Sequence, residues 1–530
     1  MRIIEGSLSL KIERRQRGDL IREWRDVELK PVRESQRHPS LKGKLVFAIL
    51  FLICLATAYG AASNLNPKAV GTDGLQNYQG AYNLATTGVL SFTQKGAGNP
   101  SMSREPLPPA ILSLWLRVVF PQIETANPAV ANGTPDVMWV KGFNVLIVTL
   151  IVIAVFVAAK LISGNYAVAL LSSLMSSFSV IYWSFGLNSM YTEPVASLFI
   201  LISMISAFYL IAKRDFIWAG LFGFSFGFLA LAKAVGFSIF VPSLILILLL
   251  SFLKEKNFKK TLAFAVISTS CFIFVVGPWL LRNNYYFDDP SIAMRGGRVL
   301  YYRMLINEMP EETYRASFYA WAPRPVKAVM SDLYGFSASD LEAGGAGQWL
   351  NRSKQASFYP QDVKAQKSGK PELASTYISR LRAEYNKRTK GFRKDGAVSP
   401  GRSAADSMQR DAVRGIRSNP GAHLAAMLPL AWQGFWMSNV VWWAGPVITL
   451  SLFFLFGFSV LSSRWSVAGA CVVPLGFYGI YLAATHMLPR YVEPLAPAMI
   501  VALVCSVYFL LAPLLRRKIG AQILQSKALS

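Results

Sequence analysis

Gly71-Thr72-Asp73-Gly74, with Asn77-Tyr78 and Ala81-Tyr82 behind it and Ser103-Arg104-Glu105-Pro106-Leu107-Pro108-Pro109 further on, fills the gap between the first and second long apolar runs. On both sides the sequence avoids charge over stretches long enough to cross a bilayer. Here it sets a carboxylate a few residues beyond one apolar run and an Arg-Glu pair just ahead of another. Ionisable groups at a bilayer surface are costly to desolvate and are retained where they act. The chain is therefore read as a membrane bundle organised around this first loop.

Composition agrees. The 530 residues are 53% hydrophobic and 16% charged, which describes a polytopic membrane protein with one hydrophilic insert rather than a string of soluble domains. A formal net charge of +25 would also suit a nucleic-acid binder. The positive charge flanks the apolar runs, however, as orientation in a membrane requires, and no nucleic-acid partner is expected. Cys54, Cys271, Cys471 and Cys505 all lie inside apolar runs, where a thiol is a small hydrophobe, so no disulfide is expected. His38, His423 and His486 are too far apart in sequence to draw a zinc site.

Ten runs of roughly 20 residues read as spans, at about 44–63, 138–161, 166–185, 193–212, 216–233, 235–253, 260–281, 444–462, 466–485 and 492–514. The polar segment before them is rich in both signs, around Arg14-Arg15-Gln16-Arg17, and reads as a cytoplasmic tail ahead of an uncleaved anchor. An amphipathic helix around Leu8, Ile12, Leu20 and Trp24 or a solvated tail suits it equally. Alternating the spans puts Lys213-Arg214, Lys254-Glu255-Lys256, Arg464 and Arg516-Arg517-Lys518 on one side, as the positive-inside rule requires. Two apolar segments fit only as interfacial helices: 106–120, short and Pro-rich, and 426–443, with Trp432, Trp436, Trp442 and Trp443.

The expected fold class is thus an all-α polytopic bundle. Its parts are a cytoplasmic basic tail (1–43), an N-terminal transmembrane module (44–281) containing the first outer loop (64–137), an extracytoplasmic insert (282–425), a C-terminal transmembrane module (426–514) and a cytoplasmic tail (515–530). Weak helical periodicity in the insert falls near 372–390 and 403–417.

Four features fall at the outer ends of spans. Asp73, with Tyr78 and Tyr82 downstream, opens a stretch of helical spacing; Gly-Thr-Asp-Gly also reads as a plain capping turn. Arg104-Glu105-Pro106 sets an arginine beside a helix start, which suits phosphate or simply a lipid headgroup. Glu193 opens one span and Lys233 closes the next, as a substrate contact or as a pair that fastens two helices. Pro278-Trp279-Leu280-Leu281-Arg282-Asn283 is matched near the C-terminus by Pro489-Arg490-Tyr491-Val492-Glu493-Pro494. Arg104, Lys233, Arg282 and Arg490 on one face suit a buried phosphate.

In their order, spacing and common side, Asp73, Arg104-Glu105-Pro106-Leu107, Thr192-Glu193-Pro194, Pro278-Trp279-x-x-Arg282-Asn283 and Arg490-Tyr491-x-x-Pro494-x-x-Pro497 resemble the integral-membrane GT-C glycosyltransferases, in particular the protein O-mannosyltransferase and lipid A aminoarabinose transferase group. The resemblance implies a GT-C bundle that takes a polyprenyl-phosphate sugar from the outer leaflet and passes the sugar to an acceptor hydroxyl. It implies Asp73 as general base, Arg104, Lys233, Arg282 and Arg490 around the donor phosphate, and Tyr78, Tyr82, Glu105, Glu193, Asn283, Tyr491 and Glu493 against substrate. It implies membrane lipid as a partner, with a glycan, lipid or protein as acceptor. No cofactor and no metal site are expected, because a lipid phosphate is already a leaving group, though a divalent metal is compatible with the chemistry. A bacterial inner membrane with the site facing the periplasm is the implied setting. Relatives often carry two adjacent acidic residues in the first loop, where Asp73 is followed by Gly74, and an arginine at the place of Lys233. A carrier or flippase for a lipid-linked glycan is the first alternative, though no inverted repeat supports it, and a membrane assembly scaffold is the second.

Overall fold

The computed structural model describes residues 41–93, 98–182, 184–294, 296–342, 345–350, 368, 376–397, 399–436 and 443–528. The expectations for the N-terminal tail before residue 41 and for Trp442 lie outside these residues. Among the described residues there is no strand.

Numbering the helices of nine residues or more, the chain runs α1 Leu41–Ser63, α2 Thr72–Thr87, α3 Leu107–Val119, α4 Val137–Ser163, α5 Tyr166–Tyr182, α6 Glu193–Lys213, α7 Phe216–Ala232, α8 Val235–Glu255 and α9 Phe258–Phe287. The insert gives α10 Gly296–Asn307, α11 Glu311–Ala320, α12 Arg324–Tyr334, α13 Tyr377–Lys394 and α14 Pro400–Ser418. After it come α15 Met427–Phe435, α16 Ala444–Leu461, α17 Trp465–Ala484 and α18 Ala496–Ala528. Eight of the helices are long and apolar enough to cross a membrane. Two more, α5 and α7, have 17 residues each, roughly 26 Å of helix and close to the hydrocarbon thickness. The chain is an all-α, multi-pass membrane protein.

Helix packing follows residue size. Gly223 of α7 faces the backbone of α9, where a Cβ would stand 2.2 Å from the Ser268 carbonyl oxygen, so α7 and α9 approach at backbone distance. Ser268 completes the contact by donating its hydroxyl to the Ala219 carbonyl at 2.9 Å. α3 has 13 residues, about 20 Å, too short to cross. It packs on α2, and Arg117 near its end donates to the Ala85 carbonyl at 2.7 Å.

α9 runs past its expected end at 281, through Pro278, to Phe287. The described residues of the insert that follows are largely helical and tied to the bundle. Fully buried Arg303 of α10 donates Nε to the Leu482 carbonyl of α17 at 3.0 Å and Nη2 to the His423 carbonyl at 2.8 Å. Arg402 near the start of α14 reaches back to the Asp288 carbonyl at the end of α9. α14 is thus tied at its start to the end of α9 and leads at its other end to α15, which contacts α17.

Candidate active site

Glu193 begins α6, Lys233 follows α7, Val235 begins α8 and Arg490 precedes α18. These termini sit at one end of the bundle, around a cavity of about 770 Å³. α2 and the 101–106 loop form one wall; α10 and α14 of the insert close the other side.

Asp73 is the second residue of α2. The helix is capped by Gly71 with no side-chain cap bond, so the carboxylate does not serve as the cap that its turn sequence allowed. Oδ1 pairs with Arg104 and Oδ2 with Arg490 Nη1 at 3.2 Å. Arg104 is almost fully buried and is steadied from the same helix face, its Nε donating to Gln76 Oε1 at 2.7 Å. Arg490 lies 5.5 Å from the Tyr191 ring centre and 5.7 Å from that of Tyr491. Burial pushes the Tyr191 phenol above its ordinary range, with Arg490 opposing and Asp73 and Glu193 adding, so it stays neutral.

A second pair lines the same cavity. Lys233 Nζ donates to Glu193 Oε1 at 2.8 Å and to the Thr192 hydroxyl at 3.0 Å. Tyr481 and Glu105 lie close by as well. Glu105 Oε1 accepts from the Ala234 backbone N–H at 3.4 Å, one residue beyond Lys233.

The cations do not stand alone in the lining. Asp73, Glu105, Glu193, Asp289 and Asp406 set five carboxylates against the three cations Arg104, Lys233 and Arg490. Each cation already has a carboxylate partner. Arg490 Nε, the Asn77 amide oxygen and the Tyr481 hydroxyl are buried without a hydrogen-bond partner among the described residues, and all three residues line the cavity.

Several expected residues stand behind the lining. Arg282 donates to the Ser101 carbonyl at 3.2 Å and to Asn283 Oδ1 at 2.7 Å, with its guanidinium 4.3 Å from the Trp279 ring centre. Asn283 is fully buried and donates to the Ser291 carbonyl at 2.7 Å. Both hold loops that frame the cavity. Tyr78 is fully buried and donates its hydroxyl to the Ala126 carbonyl at 2.6 Å; its place is in the core, because the helix turns it away from Asp73. Half-buried Tyr82 packs against the same core. Glu493 shares with Glu193 a small crevice of about 40 Å³ beside Pro494 and Ser197. Arg104, Glu105, Glu193, Lys233, Arg490 and Tyr491 line the cavity together with Asp73.

Other lining residues were not singled out from sequence. Asn77 follows Asp73 by one helical turn, and Gln76, which is not in the lining but holds Arg104, by three residues, so helical spacing alone could have nominated both. Tyr481, Asp406 and Gln409 carried no such signal.

Residues 105–289 match the family model described as dolichyl-phosphate-mannose-protein mannosyltransferase. No curated protein sequence matches the chain. Among solved structures, the archaeal oligosaccharyltransferase AglB from Archaeoglobus fulgidus, in complex with an inhibitory peptide and a dolichol-phosphate, aligns at a TM-score of 0.48 and 11% identity. The alignment covers 91% of this chain and 52% of that protein, so the chain spans about half its length. The matched segment, 105–289, runs from Glu105 through Glu193 and Lys233 to Asp289 of the cavity. Over that segment the chain is similar to the protein O-mannosyltransferases, integral-membrane glycosyltransferases of the GT-C type.

Proposed function

We propose that the chain transfers a sugar from a polyprenyl-phosphate donor to an acceptor hydroxyl, with Asp73 as general base. The observation that carries this reading is the Arg104–Asp73–Arg490 triad at the wall of a large cavity built on membrane-helix ends. A carboxylate within reach of a bound hydroxyl can take its proton as the oxygen attacks the anomeric carbon. The new oxygen–carbon bond forms as the bond from that carbon to the phosphate oxygen breaks, and the phosphate leaves as an anion. Arg104 and Arg490, with fork geometry matched to oxyanions, would hold it. Neither cofactor nor nucleotide enters this scheme.

Both Asp73 oxygens are engaged by arginine, which orients the carboxylate; an ionised carboxylate has about four acceptor sites, so two arginine contacts do not bar it from a hydroxyl proton. The setting we propose is a bacterial inner membrane with the cavity on the periplasmic side. Glu193 stands at the cavity while Lys213 and Arg214 lie a whole helix away, about 30 Å. Lys254 and Lys256 at the end of α8, and Lys259 and Lys260 at the start of α9, share that far end. Basic loops mark the cytoplasmic side, which supports an outward cavity. Residues 282–425 would then be the extracytoplasmic insert between two transmembrane modules.

The test is transfer from radiolabelled polyprenyl-phosphate sugars in membranes, native against Asp73→Asn at equal protein level. Removing the base while keeping size should lower turnover by about 10²–10⁴, with donor binding retained. Normal turnover by the variant would remove Asp73 from the chemistry. Donor that binds but is never cleaved, across a panel of sugars and acceptors, would favour a carrier.

A further inference from the structure

Two side chains of the cavity wall, Asn77 and Tyr481, are each only 2% exposed and line the cavity. Each holds one polar atom away from water without a partner among the described residues. Folded proteins rarely leave such atoms unpaired, because the desolvation goes uncompensated. Two in one cavity wall point to an occupant that pairs with them.

What each atom can still do defines the chemistry of that occupant. The Asn77 amide nitrogen is committed to the Met190 carbonyl at 3.0 Å, which fixes the orientation of the amide and leaves Oδ1 needing a donor. The Tyr481 hydroxyl can donate or accept. Its charged neighbours include the carboxylates Glu193 and Glu105 beside Lys233. Phosphate oxygens only accept, so a phosphate cannot satisfy Asn77. A polyol can satisfy both atoms, because every hydroxyl donates and accepts. The Tyr481 ring stacks on Tyr491 at 5.2 Å and 17°, and Arg490 lies over the other partner of that stack at 5.7 Å. The Tyr491 ring thus stands between Tyr481 and Arg490, and Asn77 lies about one helical turn beyond Asp73 on α2.

We propose that Asn77 and Tyr481 form the subsite for the donor's sugar ring and read its hydroxyls, as specificity-determining residues. Asn77 Oδ1 accepts from one ring hydroxyl, and the Tyr481 hydroxyl pairs with another. Both residues line the cavity in which the donor is proposed to bind. The subsite rests on the donor reading given above.

The experiment uses the full chain in detergent. Thermal unfolding is followed with dolichyl phosphate and with a series of dolichyl-phosphate monosaccharides, native against Tyr481→Phe, which keeps the ring and removes the hydroxyl. Without lipid, the variant is expected to unfold at or above the native temperature, since an unpaired group has gone. Dolichyl phosphate should bind both proteins equally. The extra affinity contributed by the preferred sugar should fall about threefold to tenfold in the variant, and the same loss should appear in the native protein with the deoxy analogue lacking the paired hydroxyl. A variant less stable without lipid would mean that a water or protein group already holds the hydroxyl, and would overturn the subsite. So would an equal sugar increment in both proteins, or no increment from any sugar in the native one. If dolichyl phosphate itself fails to bind the native chain, the donor reading falls and the subsite falls with it.

Discussion

At Gly74 a side chain has nowhere to go. A Cβ there would stand 1.6 Å from the Ser189 carbonyl oxygen and 2.7 Å from Val70 Cγ1. The first turn of α2 is pressed against the backbone of the 188–191 loop, which gives a physical reason for glycine where relatives often have a second acid. Gly74→Ala must push α2 off that loop. Overpacking of this kind costs about 1–3 kcal/mol, and here it also pulls Asn77 from the Met190 carbonyl. The expected outcome is a lower unfolding temperature together with a loss of sugar transfer larger than the stability change explains; unchanged transfer would mean that Asp73 needs no such precise seat. The sequence allowed Asp73 either as a site carboxylate or as a helix cap, and the structure shows it paired with arginines rather than capping. What separates the two is distant in sequence: its partners lie 31 and 417 residues away, and no local pattern encodes that pairing.

Apolar length made the bundle helices legible, because every run of membrane-crossing length had to satisfy its backbone internally. The same rule explains α3, whose 13 residues cannot cross. Insert helices α13 and α14 were visible only as weak periodicity, and α10 to α12 not at all, since their sequence looks like a polar surface. Their seat comes from a few buried polar contacts. Arg303 stays charged there, with burial pulling its proton affinity down only to about 10. It donates to Asn307 Oδ1, so the Asn307 amide nitrogen faces His423 Nδ1 at 3.1 Å and that nitrogen must be unprotonated. Burial first, and Arg303 second, hold the His423 pKa below its ordinary value. Above pH of about 6.5 the ring is neutral folded or unfolded and nothing is lost. As pH falls through the depressed folded value the unfolded form takes the proton first, so the stability of this seat declines with acidity. Amide protection over 296–307 and 420–425, corrected for the intrinsic pH dependence of exchange, should fall between pH 7.5 and 5.5 in the native chain and hold steady in His423→Gln. An acid response that survives the substitution would assign it to another group.

For the whole molecule, the cavity and the basic loops occupy opposite ends of the same helices, and the proposed outward orientation rests on that opposition. A donor and acceptor meeting at Asp73 must both arrive at the end where α6 begins and α9 finishes. The insert reinforces this geometry: Asp406 and Gln409 of α14 close the cavity from outside the bundle, so the same polar segment that faces water also lines the proposed site. A cysteine introduced at exposed Glu312 of α11 and another at exposed Lys259 at the start of α9 should report opposite sides. The four native cysteines lie within helices of the bundle, which keeps the background low. In intact cells of a bacterial host with a permeabilised outer membrane, an impermeant maleimide should label Glu312→Cys at once and Lys259→Cys only after the inner membrane is breached. The reverse pattern would turn the bundle over and put Asp73 against a cytoplasmic donor. Simultaneous labelling of both before breach would mean that α9 does not cross, and with it the ten-span count would go.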